Sequence, residues 1–382
     1  MKIIRLGVIG VGGMGQAHCK SLQKIPEVRL AAVSDADAET TIKVGKEHGI
    51  PYFPAEPGAL IRSGLCDAVL VSTPHPIRPP IVLAAMQAGL HVLSEKPLAE
   101  TVSAADKMIK TAKQTGVAFG VMFQRRTEPA LAQAIRIARS GQLGKVQRTA
   151  MISPEYRSQA YYDSAGWRAT WKGEGGGVMM NQAPHIMDLF ILLGGMPSQV
   201  FGRTETRLHR IEVEDLAEAL LTYPDGGTGY FYCSTNEPAP GQMIEVFGDK
   251  GKLCYRDGKL TLTTYEPPVE EFTRTNTQMW AFPKAVEQPI LIDEAESGHA
   301  VIIRNFARHI LFKEPLIAPG EEGLRPLELA NAIWLSAALK KPVKLPISRK
   351  AYDAFLAGKR KAASTRKKVV VTQRTTDPRH TT

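Results

Sequence analysis

The stretch "GVIGVGGMGQAH", residues 7–18, decides how the first half of the chain folds. An apolar run ends at Ile9, and Gly10-x-Gly12-x-x-Gly15 then opens a helical pattern. Each glycine meets a separate demand: Gly10 a tight turn, Gly12 close approach of the backbone to a pyrophosphate, Gly15 close packing of helix on strand. Gly13 and Met14 lie in the same turn, at a helix N-terminus whose unpaired N–H groups and positive dipole end favour phosphate. Twenty residues after Gly15, Asp35 ends a second apolar run. A carboxylate there accepts hydrogen bonds from an adenosine ribose and repels a 2′-phosphate. The next cation, Lys43, lies well along the following helix. The loop predicts NAD rather than NADP.

Outward from this loop, residues 1–125 alternate strand runs (3–9, 28–34, 67–73, 91–95, 117–123) with helical patterns (14–24, 37–48, 79–88, 102–115). That alternation predicts crossover units, hence a doubly wound parallel sheet with helices on both faces. A helix over 129–140 leads into a second domain, residues 126–345. There, runs at 145–153, 198–207, 215–223, 228–235, 243–248 and 259–265 are punctuated by "YPDGGT", "FGDKG" and "RDGK". Short turns between consecutive strands predict an antiparallel sheet. Helical patterns at 177–193, 294–312 and 324–340 are expected to cover one face of it. The fold class is α/β followed by α+β.

The chain has 382 residues, 43% of them hydrophobic, enough for two cores. No apolar run nears the roughly 20 residues that span a bilayer, so no membrane partner is expected. The N-terminal apolar run breaks at once into glycines and reads as a first strand, not a signal peptide. Cys19, Cys66, Cys233 and Cys254 show no metal-like spacing. Free thiols in a reducing cytoplasm are the plain reading, with no metal site. The net charge of +10 suggests nucleic acid until it is located. Residues 346–382 hold ten Lys/Arg against two Asp/Glu, leaving only +2 for the rest. This basic segment, containing "GKRKAASTRKK", is expected to be a solvated, mobile tail, its first part held by some apolar contact of Tyr352 and Phe355. Nucleic acid is therefore not an expected partner.

A second decisive stretch is "HVLSEKPLAET", residues 91–101, where a strand runs into Glu95-Lys96-Pro97. A lysine at the carboxyl end of a strand either solvates a loop or faces the ligand crevice of a parallel sheet. With "VLVSTPHP" (69–76), "AGLHVLSEKPLAET" (88–101), "GGGVMMNQAPHIMDLF" (175–190) and "ELANAIWLSAAL" (328–339), the chain resembles the glucose–fructose oxidoreductase/inositol dehydrogenase/MocA family over residues 3–345. The resemblance implies a Rossmann domain followed by an open, mostly antiparallel sheet, with catalysis in the cleft between them. It implies a cis bond before Pro97 that aims Lys96 at the nicotinamide. It also implies nucleotide contacts at Thr73, Pro74, His75, Glu95, Lys96 and Gln124, and a homodimer or homotetramer. Two departures stand out: Arg78 where the family commonly has histidine, and Asn181 where Asp-x-x-x-His is frequent.

Oxidising an alcohol with NAD requires a base for the hydroxyl proton. Asn181, His185 and Asp188, spaced i, i+4 and i+7, share a helical face, although Pro184 should kink it. Lys96 and His185 are the expected catalytic pair, with Lys96 depressed by burial. Lacking a carboxylate at 181, His185 is expected to titrate near its free value of about 6.5. Asn181 and Asp188 are expected on the substrate, as are Tyr162, Trp167 and Arg168 from "YYDSAGWRATWKGEGGG", whose aromatic faces and polar atoms suit a polyhydroxylated ring. The expected activity is hydride transfer between NAD and a secondary alcohol of a sugar, anhydrosugar or cyclic polyol. An NAD-dependent glycosidase working by transient oxidation, which accumulates no NADH, and a non-catalytic nucleotide-binding regulator are the alternatives.

Overall fold

In the computed structural model, which describes residues 2–363 and Val369, the first 121 residues build the predicted parallel sheet. Its strands are β1 (Ile4–Ile9), β2 (Val28–Asp35), β3 (Tyr52–Pro54), β4 (Ala68–Val71), β5 (His91–Ser94) and β6 (Phe119–Val121). Their order is β3-β2-β1-β4-β5-β6, all parallel. The central strands are buried along nearly their whole length, as a sheet covered on both faces requires. Helices α1 (Gly13–Leu22), α2 (Ala38–His48), α3 (Pro57–Arg62), α4 (Arg78–Gln87) and α5 (Val102–Thr115) make the crossovers. Their ends follow local chemistry: Asp37 caps α2 by accepting from Glu39 N–H at 3.2 Å, and Thr101 caps α5 through Ala104 N–H at 3.2 Å. The pair β3–α3 is too short to show a period in the sequence.

Helix α6 (Pro129–Arg139) leads to β7 (Val146–Pro154) and, past α7 (Gln159–Asp163), to the split pair α8 (Val178–Asn181) and α9 (Pro184–Gly194). Pro184 starts a fresh helix, so the pattern over 177–193 breaks where expected. Then come β8 (Gln199–Glu205), β9 (Leu216–Thr222), β10 (Thr228–Ser234), β11 (Met243–Gly248), β12 (Gly251–Arg256), β13 (Lys259–Glu266), α10 (Val269–Thr275) and β14 (Lys284–Gln288). Helices α11 (His299–Phe312) and α12 (Leu324–Leu339), β15 (Val343–Lys344) and α13 (Arg349–Ala362) finish the described chain. The nine-stranded sheet runs β14-β13-β12-β11-β7-β10-β9-β8-β15, with only β7 and β10 parallel. Sequence reading missed β12, β14 and β15. All four cysteines are free.

Two expectations need correction. Helix α11 covers the parallel sheet, not the antiparallel one: Ile302, Ile303, Phe306 and Ala307 pack with Leu6, Val8 and Cys19. A helical stripe shows that one face is apolar, not which sheet receives it. Helix α12 is buried from Pro326 to Ser336 because it lies between both halves. Its Asn331 accepts from Val102 N–H at 3.1 Å and donates to Glu100 O at 3.2 Å, while Ser336 Oγ accepts from Gly202 N–H at 2.9 Å.

The second correction concerns the basic segment. Residues 349–362 form helix α13, with Tyr352 and Leu356 fully buried. Tyr352 lies against Trp334 and Phe355 against Trp171. Arg349 Nε pairs with Asp106 at 2.8 Å and its Nη1 with Glu328 at 2.6 Å, and Arg360 pairs with Glu100. An i, i+3, i+4 stripe of Tyr352, Phe355 and Leu356 was hidden by the lysines and arginines around it. The remainder of the predicted tail lies outside the described residues, apart from Val369. Burying two such side chains is worth about 3–6 kcal/mol. Truncation after Lys350 should therefore lower the urea unfolding midpoint clearly, and Tyr352→Ala should give a large part of that loss; midpoints matching the full chain would show α13 to be dispensable.

Candidate active site

The loops after β1, β4, β5 and β6 all leave the carboxyl edge of the parallel sheet, the edge at which such folds bind ligands. After β1, Gly10 takes φ +92°, and a Cβ there would lie 2.7 Å from Ser72 O. A Cβ on Gly15 would lie 1.8 Å from Gly10 O, so only glycine lets α1 sit this close to the strand. Beside Gly12 there is open space, and Gly12, Gly13 and Met14 form the start of α1. Asp35 Oδ2 accepts from Val11 N–H at 2.7 Å and Oδ1 from Asp37 N–H at 3.0 Å. Each oxygen keeps a lone pair for a ribose hydroxyl. Thr73 Oγ1 and Gln124 Oε1 are buried and find no partner among the described residues. Two orphaned polar atoms on this edge fit a bound dinucleotide that would satisfy them.

The turn at Glu95-Lys96-Pro97, with its cis bond before Pro97, is clamped from behind by Arg78. The buried Arg78 guanidinium donates to Glu95 O at 3.0 Å, to Thr73 O at 2.6 Å and to Pro97 O. The arginine that departs from the family pattern thus holds the backbone of the lysine turn. Lys96 is half-buried, and its Nζ donates to Asn181 O at 3.0 Å. Burial pushes Lys96 below its ordinary range, against the opposing pull of Glu95, Glu155 and Glu174.

His185 stands half-buried at the start of α9, its ring edge against Phe123 and its Nε2 3.4 Å from Gln124 Nε2. Nδ1 is buried without a partner among the described residues. Rotating the Gln124 amide lets Oε1 accept from Nε2–H and leaves Nδ1 a lone pair. In either orientation Nδ1 is the ring atom left without a partner among the described residues. His185 does not titrate near its free value: burial, then the charges of Lys96 and Arg125, push it well below.

Asn181 presents its carbonyl to Lys96 and its amide to Glu174 Oε1, not to His185. Glu174 is the main residue that sequence reading passed over. It is buried, and its Oε2 accepts from Ala169 N–H at 2.6 Å, while His75 Nδ1 lies 2.9 Å from its carbonyl. His75, pushed down to about 3 by burial, is thereby a neutral tie between the two halves. Its only sequence signal was a lone carboxylate directly before three glycines.

Two predicted substrate residues are placed elsewhere. Both oxygens of Asp188 accept from Arg126, at 2.6 and 2.7 Å, and the pair is buried with Glu322 against Arg126. Asp188 anchors α9 through this pair. Tyr162 is also buried, with its hydroxyl 2.8 Å from Thr235 Oγ1 and its ring on His209, so it belongs to the core. Tyr161, next to it, is partly buried: its hydroxyl accepts from Gln182 at 3.0 Å and from Arg168. Arg168 stacks 4.1 Å from the Tyr161 ring centroid and 4.7 Å from that of Trp167. Trp171 donates to Glu212 O at 2.9 Å and packs on Trp334, so it is a structural anchor. Among the described residues no group of His, Cys, Asp or Glu is arranged to hold a metal ion, and no helix is long and apolar enough to cross a membrane.

Comparison with known proteins agrees with this geometry. Residues 4–123 match the "Oxidoreductase family, NAD-binding Rossmann fold", and residues 131–254 match the "GFO/IDH/MocA C-terminal domain". Myo-inositol 2-dehydrogenase of Thermotoga maritima is 25% identical over 351 residues, covering 90% of this chain and 98% of that protein. D-apiose dehydrogenase of Paraburkholderia graminis is 26% identical, covering 90% of each. The WlbA dehydrogenase of Bordetella pertussis, solved with NADH and UDP-GlcNAcA, superposes with a TM-score of 0.77 at 26% identity, covering 91% of this chain and 100% of that one. With an NAD-binding Rossmann half, a family-typical second sheet and a lysine turn between them, the chain belongs to the GFO/IDH/MocA family of NAD-dependent oxidoreductases.

Proposed function

We propose that the protein oxidises a secondary alcohol of a sugar, anhydrosugar or cyclic polyol with NAD. One observation carries the reading: the cleft brings together a depressed, half-buried lysine, Lys96, and a histidine, His185, that burial and the lysine's charge keep neutral. NAD held on the Gly10–Gly15 loop and Asp35 supplies the hydride acceptor. Lys96, entering as the neutral amine, takes the hydroxyl proton, and the Asn181 carbonyl holds the ammonium so formed. His185 Nδ1 orients the reacting oxygen, since burial keeps the ring neutral. The Tyr161–Trp167–Arg168 wall offers aromatic faces for C–H groups and polar atoms for hydroxyls. The relatives that act on inositol and apiose support a polyhydroxylated substrate.

The same reading includes self-association. Phe201, Leu220 and Tyr230 stand side by side across β8, β9 and β10 on the open face of the second sheet, all exposed. An apolar row on an open sheet suits a two-fold contact with a second copy. The free thiols support a reducing, cytoplasmic setting.

A panel of cyclitols, aldoses, anhydrosugars and glycosides with NAD, followed by NADH absorbance, should give turnover with at least one free polyol or sugar. Glycoside cleavage without NADH would contradict the dehydrogenase reading. Lys96→Met should cut kcat by about 10²–10⁴ while NAD affinity stays within a few-fold; lost NAD binding with normal residual turnover would make Lys96 a nucleotide contact instead. Asp35→Ser removes a hydrogen bond from a charged group, worth about 1.5–3 kcal/mol, and should weaken NAD use about 10–100-fold. A higher wild-type kcat/KM with NADP would overturn that role. Light scattering should find an oligomer that Leu220→Lys dissociates, and a monomeric wild type would end the proposal of self-association.

A further inference from the structure

Behind the lysine turn lies a pair of buried polar groups that the proposed chemistry does not use. His18, on α1, is fully buried, and its Nε2 is 2.7 Å from Glu95 Oε1, across 77 residues of sequence. Glu95 is itself buried, and its other oxygen accepts from the Lys96 backbone N–H at 3.1 Å. The His299 ring, at the start of α11, meets His18 edge-on at 5.3 Å. We propose that His18 is a positioning residue for Lys96, acting through Glu95 to join the phosphate-binding helix to the catalytic turn. The inference rests on the reading of Lys96 as the base.

Several observations converge on this role. Burial alone would drive Glu95 toward the neutral acid. The hydrogen bond and charge of His18, with His299 and Lys96, reverse this and hold the carboxyl well below its usual range. With Glu95 ionised, His18 Nε2 carries the hydrogen and donates it. The carboxylate then fixes the Lys96 backbone and places a negative charge beside its ammonium. That charge opposes the burial that depresses Lys96. Glu155 and Glu174 act in the same sense from the second domain, Arg78 acts against it from α4, and His75 and His185 are kept neutral by burial. Removing His18 leaves Glu95 buried without its donor, and a carboxyl in that state takes up a proton. The lysine then loses its neighbouring charge. A pair that merely pinned α1 to the sheet would change stability and leave the titration of Lys96 alone.

The test uses the full chain without cofactor or substrate. Lys96 is labelled with an amine-reactive anhydride across pH 6–11, and its modification is read by peptide mass spectrometry. Glu95→Gln keeps the shape and the bond to the Lys96 N–H but removes the charge, so the labelling midpoint should fall by about one pH unit or more. His18→Leu should give the same fall, and His18→Gln, whose amide can donate to Glu95, should restore most of it. Where an alcohol substrate is known, the rise of kcat/KM with pH should move in the same direction. Unchanged midpoints in folded Glu95→Gln and His18→Leu overturn the proposal, as does a His18→Leu effect confined to the melting temperature. A shifted midpoint in a protein that oxidises no alcohol supports the positioning role and sinks the dehydrogenase reading.

Discussion

The hydrogen bond from Lys96 Nζ to the Asn181 carbonyl, 3.0 Å long, is the contact on which the site depends. The lysine lies two residues past the end of a strand of the parallel sheet, and the backbone carbonyl ends a four-residue helix of the second domain. An ammonium in a low-dielectric cleft is costly unless its hydrogens are accepted. The carbonyl therefore favours one relative placement of the halves. Other ties enforce the same placement: Arg126 with Asp188 and Glu322, Asn331 with Glu100 and Val102, His75 with Glu174. The cleft thus holds a partly desolvated amine whose proton burial makes easier to lose.

The polar groups around the lysine form a graded set. Glu95 is held ionised, and His75 and His185 are held neutral by burial. Lys96 lies between, depressed by burial and pulled back by three carboxylates. Burial thus makes its proton easier to lose than that of a free lysine. Buried charges of this number add little stability by themselves.

How much of this was legible in the sequence followed the range of the interactions. The Gly10-x-Gly12-x-x-Gly15 loop and Asp35 could be read because their demands are local: a turn, a close approach, a strand end. The lysine turn and the break at Pro184 were readable for the same reason. The partners of Asp188 and Tyr162 were not legible, because neither helical spacing nor an aromatic-rich stretch says what lies opposite a side chain. Arg126 lies opposite Asp188, and Thr235 lies opposite Tyr162. Glu174 was overlooked because its partners, Asn181, Ala169 and His75, meet only after folding. Helix α13 was read as a tail because net charge outweighed a three-residue apolar stripe, although that stripe buries Tyr352 against Trp334.

The proposed departure of hydride from a carbinol carbon inside this cleft can be followed by isotope transfer. The best alcohol from a substrate panel would be prepared with deuterium on the carbinol carbon and turned over with NAD. Nuclear magnetic resonance should then find the deuterium on the reduced nicotinamide ring, none of it washed into water. The rate should also fall when chemistry limits turnover. Deuterium released to solvent, or product formed with no label on the nicotinamide, would contradict the account.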